Sequence, residues 1–150
     1  MVNINKILVP TDFSEFADKA LEEALEVAEQ FDSKIFLVHA IRADQRFKLS
    51  ETFDEETQKK IRKALSRKTE AAFQKQMAKF PLAATVEIDT RVCKGVPYRE
   101  ILELEKEIKP DVIVLASQGR SGFEEFFFGS TAEKIVRRST CSVLIVKDRL

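Results

Sequence analysis

Five short apolar runs alternate with four longer stretches of helical periodicity, and this alternation constrains the fold more than any other feature of the chain. Residues 4–10 form a β-branched and leucine run stopped by Pro10, whereas residues 14–31 place Ala17, Ala20, Leu21, Ala24, Leu25, Ala28 and Phe31 at helical spacing. Residues 34–41 read as a second strand, 42–53 as a polar loop, and 54–80 as a long charged helix closed by Pro81. From 86 to 92, apolar and charged residues alternate with period two, as in a strand wet on one face. Gly95 and Pro97 turn the chain into a helix over 97–108, and Pro110 ends it. Residues 111–116 are apolar on both faces, 117–128 are rich in turn residues, 130–139 form a last helix and 143–146 a last strand.

Strands separated by helices require a parallel sheet with right-handed crossovers and helices on both faces. The first and fourth strands are the most uniformly apolar, so they belong in the middle, with the wet third strand outside. The expected fold is therefore α/β, one doubly wound five-stranded domain over 1–150 with strand order 3-2-1-4-5. Winding then reverses between strands 1 and 4, and a ligand is expected in the crevice beyond their carboxyl ends.

Composition removes several partners. Lys and Arg number 25 against 25 Asp and Glu, a balance that lacks the basic excess wanted by nucleic acids or anionic membranes. No apolar run is long enough to cross a bilayer and no leader pattern is visible, so a cytoplasmic location is expected. The two cysteines, Cys93 and Cys141, are expected to be free thiols.

Two loops face the expected crevice. The first, Pro10-Thr11-Asp12-Phe13-Ser14, offers a carboxylate that could accept hydrogen bonds from a ribose or adenine, or simply cap the next helix. The second, from Leu115 and Ala116 to Thr131, holds three of the chain's four glycines and ends in Gly129-Ser130-Thr131 at a helix start. Backbone N–H groups there suit a phosphate, and a Ser130-x-x-Glu133 capping box is the alternative use of the same residues. The Gly-x-Gly-x-x-Gly fingerprint and the P-loop are both absent. The lone His39 reads as a packing residue inside a strand, and no general base for fast hydrolysis is identifiable.

Pro10-Thr11-Asp12-Phe13-Ser14, the His39-Ala40 strand end and a Gly-x9-Gly-Ser spacing from Gly119 to Gly129-Ser130 together resemble the universal stress protein (UspA-like) family, in its ATP-binding branch. The resemblance runs from Lys6 to Lys147. It implies ATP, with Mg²⁺ or Mn²⁺ as candidate companions, held by Pro10, Thr11 and Asp12 at the base and ribose and by Ala40 in the adenine pocket. Leu115 and Ala116 complete the walls, and Gly119, Gly129, Ser130 and Thr131 cradle the phosphates, with Arg120 and Ser121 nearby. It also implies a homodimer paired through residues 143–146, whose run is apolar and unguarded by charge at a sheet edge. One departure stands out: Ala116 occupies the position of the family's first motif glycine. The expected role is a nucleotide-dependent stress-response switch, at most a slow ATPase. The alternative is a dimeric module of the same fold that binds no ATP because of the Ala116 methyl.

Overall fold

The structure, a computed structural model, describes residues 3–42, 52–119 and 129–147. The sequence expectations for the 43–51 loop, for Arg120 and Ser121 and for the rest of the turn-rich stretch to residue 128 lie outside the described residues. The elements follow in the order β1 (Lys6–Pro10), α1 (Glu15–Phe31), β2 (Lys34–Ile41), α2 (Glu55–Met77), a 3₁₀ turn (Pro81–Ala84), β3 (Ile88–Lys94), α3 (Pro97–Ile108), β4 (Val112–Ala116), α4 (Ser130–Arg138) and β5 (Ser142–Val146). The sheet is parallel throughout, with order β3-β2-β1-β4-β5, as the burial pattern predicts.

Strand β1 begins at Lys6, two residues later than expected, and two further boundaries differ from the sequence expectation for a local reason. Helix α2 stops at Met77 because the residue before Pro81, Phe80, is pushed to extended backbone at φ −122° and ψ 116°. Strand β3 begins two residues later than expected, at Ile88, because the Val86 N–H is held by the Leu82 carbonyl at 3.0 Å in the preceding turn.

Central strands are apolar on both faces because helices cover both. Ile7 and Val9 of β1, with Val112 and Val114 of β4, pack beneath α1 and α2 beside Leu21, Leu25 and Phe73. Their neighbours Leu8, Ile113 and Leu115 point the other way, against Ile101 and Ile108 of α3 and Ile135 of α4. The Asp111 carboxylate locks the entry of β4 to β1, accepting from the N–H groups of Asn5 and Lys6 at 2.8 and 2.9 Å.

The exit of α4 into β5 is fixed by a buried charge. Glu105 of α3 accepts through Oε1 from the Thr140 N–H at 2.8 Å, the Cys141 N–H and Thr140 Oγ1 at 3.0 Å, and Ser139 Oγ at 3.1 Å. Burial alone would raise its pKa, and these donors outweigh burial, so the carboxyl lies below the ordinary glutamate range.

Candidate functional site

Strands β1 and β4 share the registered pairs Ile7 with Val112 and Leu8 with Ile113, and no others. Beyond that point β1 continues beside β2 to Pro10, opposite Val38, while β4 continues beside β5 to Ala116, opposite Val146. The strands part where the winding reverses, and a cavity of about 540 Å³ opens there. That volume is ample for a nucleotide-sized ligand, since small-molecule sites run to roughly 300–1,000 Å³.

The loop after β1 is built by hydrogen bonds to its own backbone. The Thr11 N–H donates to the Val38 carbonyl at 2.8 Å, keeping the loop on β2. Asp12 Oδ1 accepts from the Ser14 N–H at 3.0 Å, and Ser14 Oγ in turn caps α1 by accepting from the Ala17 N–H at 3.2 Å. The cap of α1 is thus Ser14, leaving Asp12 in a tight local turn beside the cavity. Phe13 adopts a left-handed backbone at φ 63° and packs its ring on His39, 4.5 Å between centroids, and edge-on to Phe73 at 5.2 Å.

His39 has a role here that the sequence understates. Its Nδ1 lies 2.9 Å from the Thr11 carbonyl, an acceptor only, so Nδ1 carries the proton and the imidazole holds the loop in place. The packing role expected of it stands, and the side chain also lines the cavity.

The opposite wall is the start of α4. Gly129 is its N-cap, so Ser130 is the first residue inside the helix and the Ser130-x-x-Glu133 capping box does not form. Among the described residues no side chain closes the first turn, so it leaves the N–H groups of Ser130, Thr131 and Ala132 for an external acceptor, beside a partial positive charge. Gly129 itself does not add to these, because its N–H donates to the Ser117 carbonyl at 2.8 Å. Its φ of −58° suits any residue. An added β-carbon would make only ordinary contacts, 3.7 to 3.9 Å from Ser117, Gly119 and Gln118, so it is the further methyls of a larger side chain that would crowd the loop after β4.

Pro10, Thr11, Asp12, Ala40, Leu115, Ala116, Gly119, Gly129, Ser130 and Thr131 all line this one cavity. Arg120 lies outside the described residues. Sequence reasoning missed the wall supplied by Leu65 of α2 and by Pro97 and Ile101 of α3, and missed Arg42 just past β2. It also missed how the floor is braced. Thr11, buried at the base, exchanges hydrogen bonds with Gln76 of α2 at 3.0 and 3.1 Å, and Gln76 also donates to Asp18 at 2.9 Å. Among the described residues no group of three metal-type side chains comes together, and no helix is long and apolar enough to cross a membrane.

Comparisons with known proteins agree with this geometry. Residues 3–147 match the model of the universal stress protein family. Universal stress protein MJ0531 of Methanocaldococcus jannaschii is 31% identical over 95% of this chain and 81% of its own length. The solved structure of MJ0577, from the same archaeon, superposes with a TM-score of 0.82 at 25% identity, covering 99% of each chain. A universal stress protein solved in complex with cAMP shares the fold at a TM-score of 0.70 and 22% identity, over 97% of this chain and 98% of that one. With its doubly wound sheet, its crevice loops and this match along almost all of its length, the chain belongs to the universal stress protein family.

Proposed function

We propose that this protein binds ATP in the crevice between β1 and β4 and works as a nucleotide-dependent switch. The observation that carries the reading is that one cavity has the Asp12 carboxylate on one side and the uncapped first turn of α4 on the other. A carboxylate suits ribose hydroxyls or the adenine amine, and a helix N-terminus suits phosphates, so the two walls match the two ends of a nucleotide. The cAMP complex of a fold relative is consistent with an adenine nucleotide in such a crevice. Asp12 is the only acid in the described lining, so a Mg²⁺ or Mn²⁺ arriving with ATP would be held mainly by phosphate oxygens. The two unpaired thiols suit a reducing compartment, the cytoplasm.

A second reading rests on Ala116, which lines the cavity at the last registered pair of β4 with β5. If its methyl displaces the ribose, the protein is a dimeric interaction module without ATP. Calorimetry on nucleotide-stripped protein with and without Mg²⁺ separates the two. The ATP reading expects micromolar binding in the wild type and at least a tenfold loss in Gly129→Val, whose added methyls fill the gap between α4 and the loop after β4. Binding absent in the wild type and gained in Ala116→Gly would establish the second reading instead.

A further inference from the structure

Tyr98, in the first turn of α3, lies against α4 with its side chain buried at 9% exposure. Three cations surround its ring: Lys134 Nζ stands 4.4 Å from the centroid, the Arg138 guanidinium 5.2 Å and that of Arg99 5.6 Å. Arg99 also donates from Nε to the phenol oxygen at 2.9 Å. None of these four residues lines the crevice.

Among the described residues no carboxylate pairs with this cluster. Lys34, Lys79, Arg91, Lys106 and Arg137 each pair with a carboxylate, but among the described residues Arg99, Lys134 and Arg138 do not. Glu133, the residue before Lys134, is taken by Arg137 at 3.3 Å. A ring face attracts a cation, but three cations around one ring also repel each other. The Tyr98 phenol feels the result: the hydrogen bond from Arg99, with the nearby guanidinium charges, holds its pKa below the ordinary tyrosine value despite burial.

We infer that Tyr98, Arg99, Lys134 and Arg138 form a second anion site, separate from the crevice, that takes a multiply charged phosphoryl group, either free or carried on a small molecule. Such a ligand turns three mutual repulsions into three attractions. Two guanidiniums offer the planar forks that match phosphoryl oxygens, while the ammonium adds a point charge. The patch is too small for a nucleic acid in a chain of zero net charge, so a compact anion is the fitting class. The inference does not rest on ATP binding in the crevice.

The chain has one tyrosine and no tryptophan, so its intrinsic fluorescence reports Tyr98 alone. Emission is followed while phosphate, pyrophosphate and tripolyphosphate are added at constant ionic strength. The expected result is a saturable change that strengthens with ligand charge, persists in Gly129→Val, and needs about tenfold more ligand in Arg138→Gln or Lys134→Gln. Phosphate alone saturating as tightly as tripolyphosphate would identify the ligand as the free ion. Affinity that rises along the series points to a phosphoryl chain, and both outcomes support the site. A response lost in Gly129→Val would place the anion in the crevice and overturn the inference. So would a change matched by sodium chloride, one unaltered in both charge variants, or equal saturation by a poly-glutamate peptide, which would indicate an acidic protein surface instead. Arg138 and Lys134 lie at or near the surface, and unchanged thermal unfolding of the variants shows that lost binding is not lost folding.

Discussion

A β-carbon on Gly119 would lie 2.6 Å from Oδ2 of Asp12, so the loops following β1 and β4 meet where this carboxylate leaves no space for a side chain. The crowded atom is the end of a short side chain, and the clash is relieved by moving the carboxylate rather than the backbone. Gly119→Ala should therefore unfold within about 1 kcal/mol of the wild type while weakening ATP about tenfold, because the group that shifts is the one assigned to the ribose or base. Adding Asp12→Ala should make the Gly119→Ala change nearly silent in calorimetry. Full additivity of the two losses would show that the loops do not act through this contact.

Glu105 should make stability depend on acid. Its carboxyl titrates below the ordinary value of 4.5 in the folded chain, so its contribution is complete above that value and fades as pH falls through the lower folded pKa. Glu105→Gln should cost about 2 kcal/mol near neutral pH, because a neutral amide oxygen replaces the charged acceptor of the hydrogen bonds from Ser139, Thr140 and Cys141. In urea unfolding, the gap between wild type and variant should narrow below pH 4.5; a gap constant down to pH 3 would contradict this account.

Strand β5 ends the sheet order and, among the described residues, pairs on one side only, and Leu144 on β5 and Val136 on α4 are exposed. Two copies meeting through this edge would pair its backbone and cover those side chains. Sedimentation at tens of micromolar should give twice the mass of the chain, and Leu144→Lys should return it to the monomer. A monomeric wild type would remove the dimer from the proposed switch.

The two thiols should be sluggish. Burial first, and the Glu100 charge second, push the Cys93 thiol up to about 11 from 9.0, which lowers its thiolate at pH 8 about a hundredfold. Burial also raises Cys141, beside the Glu105 carboxylate. Alkylation at pH 8 should be far slower than for free cysteine and should accelerate on unfolding. Rapid modification of the native protein would show that one thiol is activated.

The order of strands was readable because burial on both faces leaves its mark on β1 and β4 as unbroken apolar runs, while β3 alternates. The crevice loops were readable because Asp12, Gly119 and Gly129 occur at distinctive spacings next to strand ends. Gln76 was not. It is a polar residue on a helix charged nearly all around, where pattern assigns it to solvent, yet it is 2% exposed because its partners, Thr11 and Asp18, are supplied by a distant part of the chain. Glu105 escaped for the same reason: its donors on the turn into β5 can be seen only once α3 and that turn are adjacent. Periodicity records which face is buried, and it is silent about polar side chains that satisfy each other across the fold.

The Thr11–Gln76 bridge spans 65 positions of sequence, and this has a temporal consequence. A nascent chain that has emerged only as far as β2 already contains Asp12, His39 and the first registered strand pair, but lacks the glutamine beneath Thr11 and the Phe73 ring against Phe13. Long-range closures of this kind form late, since the loop entropy must be met before the contact repays it. The half of the crevice that is synthesised first therefore takes its final shape only after α2 has left the ribosome and docked, so the proposed binding site arrives with the completed fold rather than with the residues of its first loop.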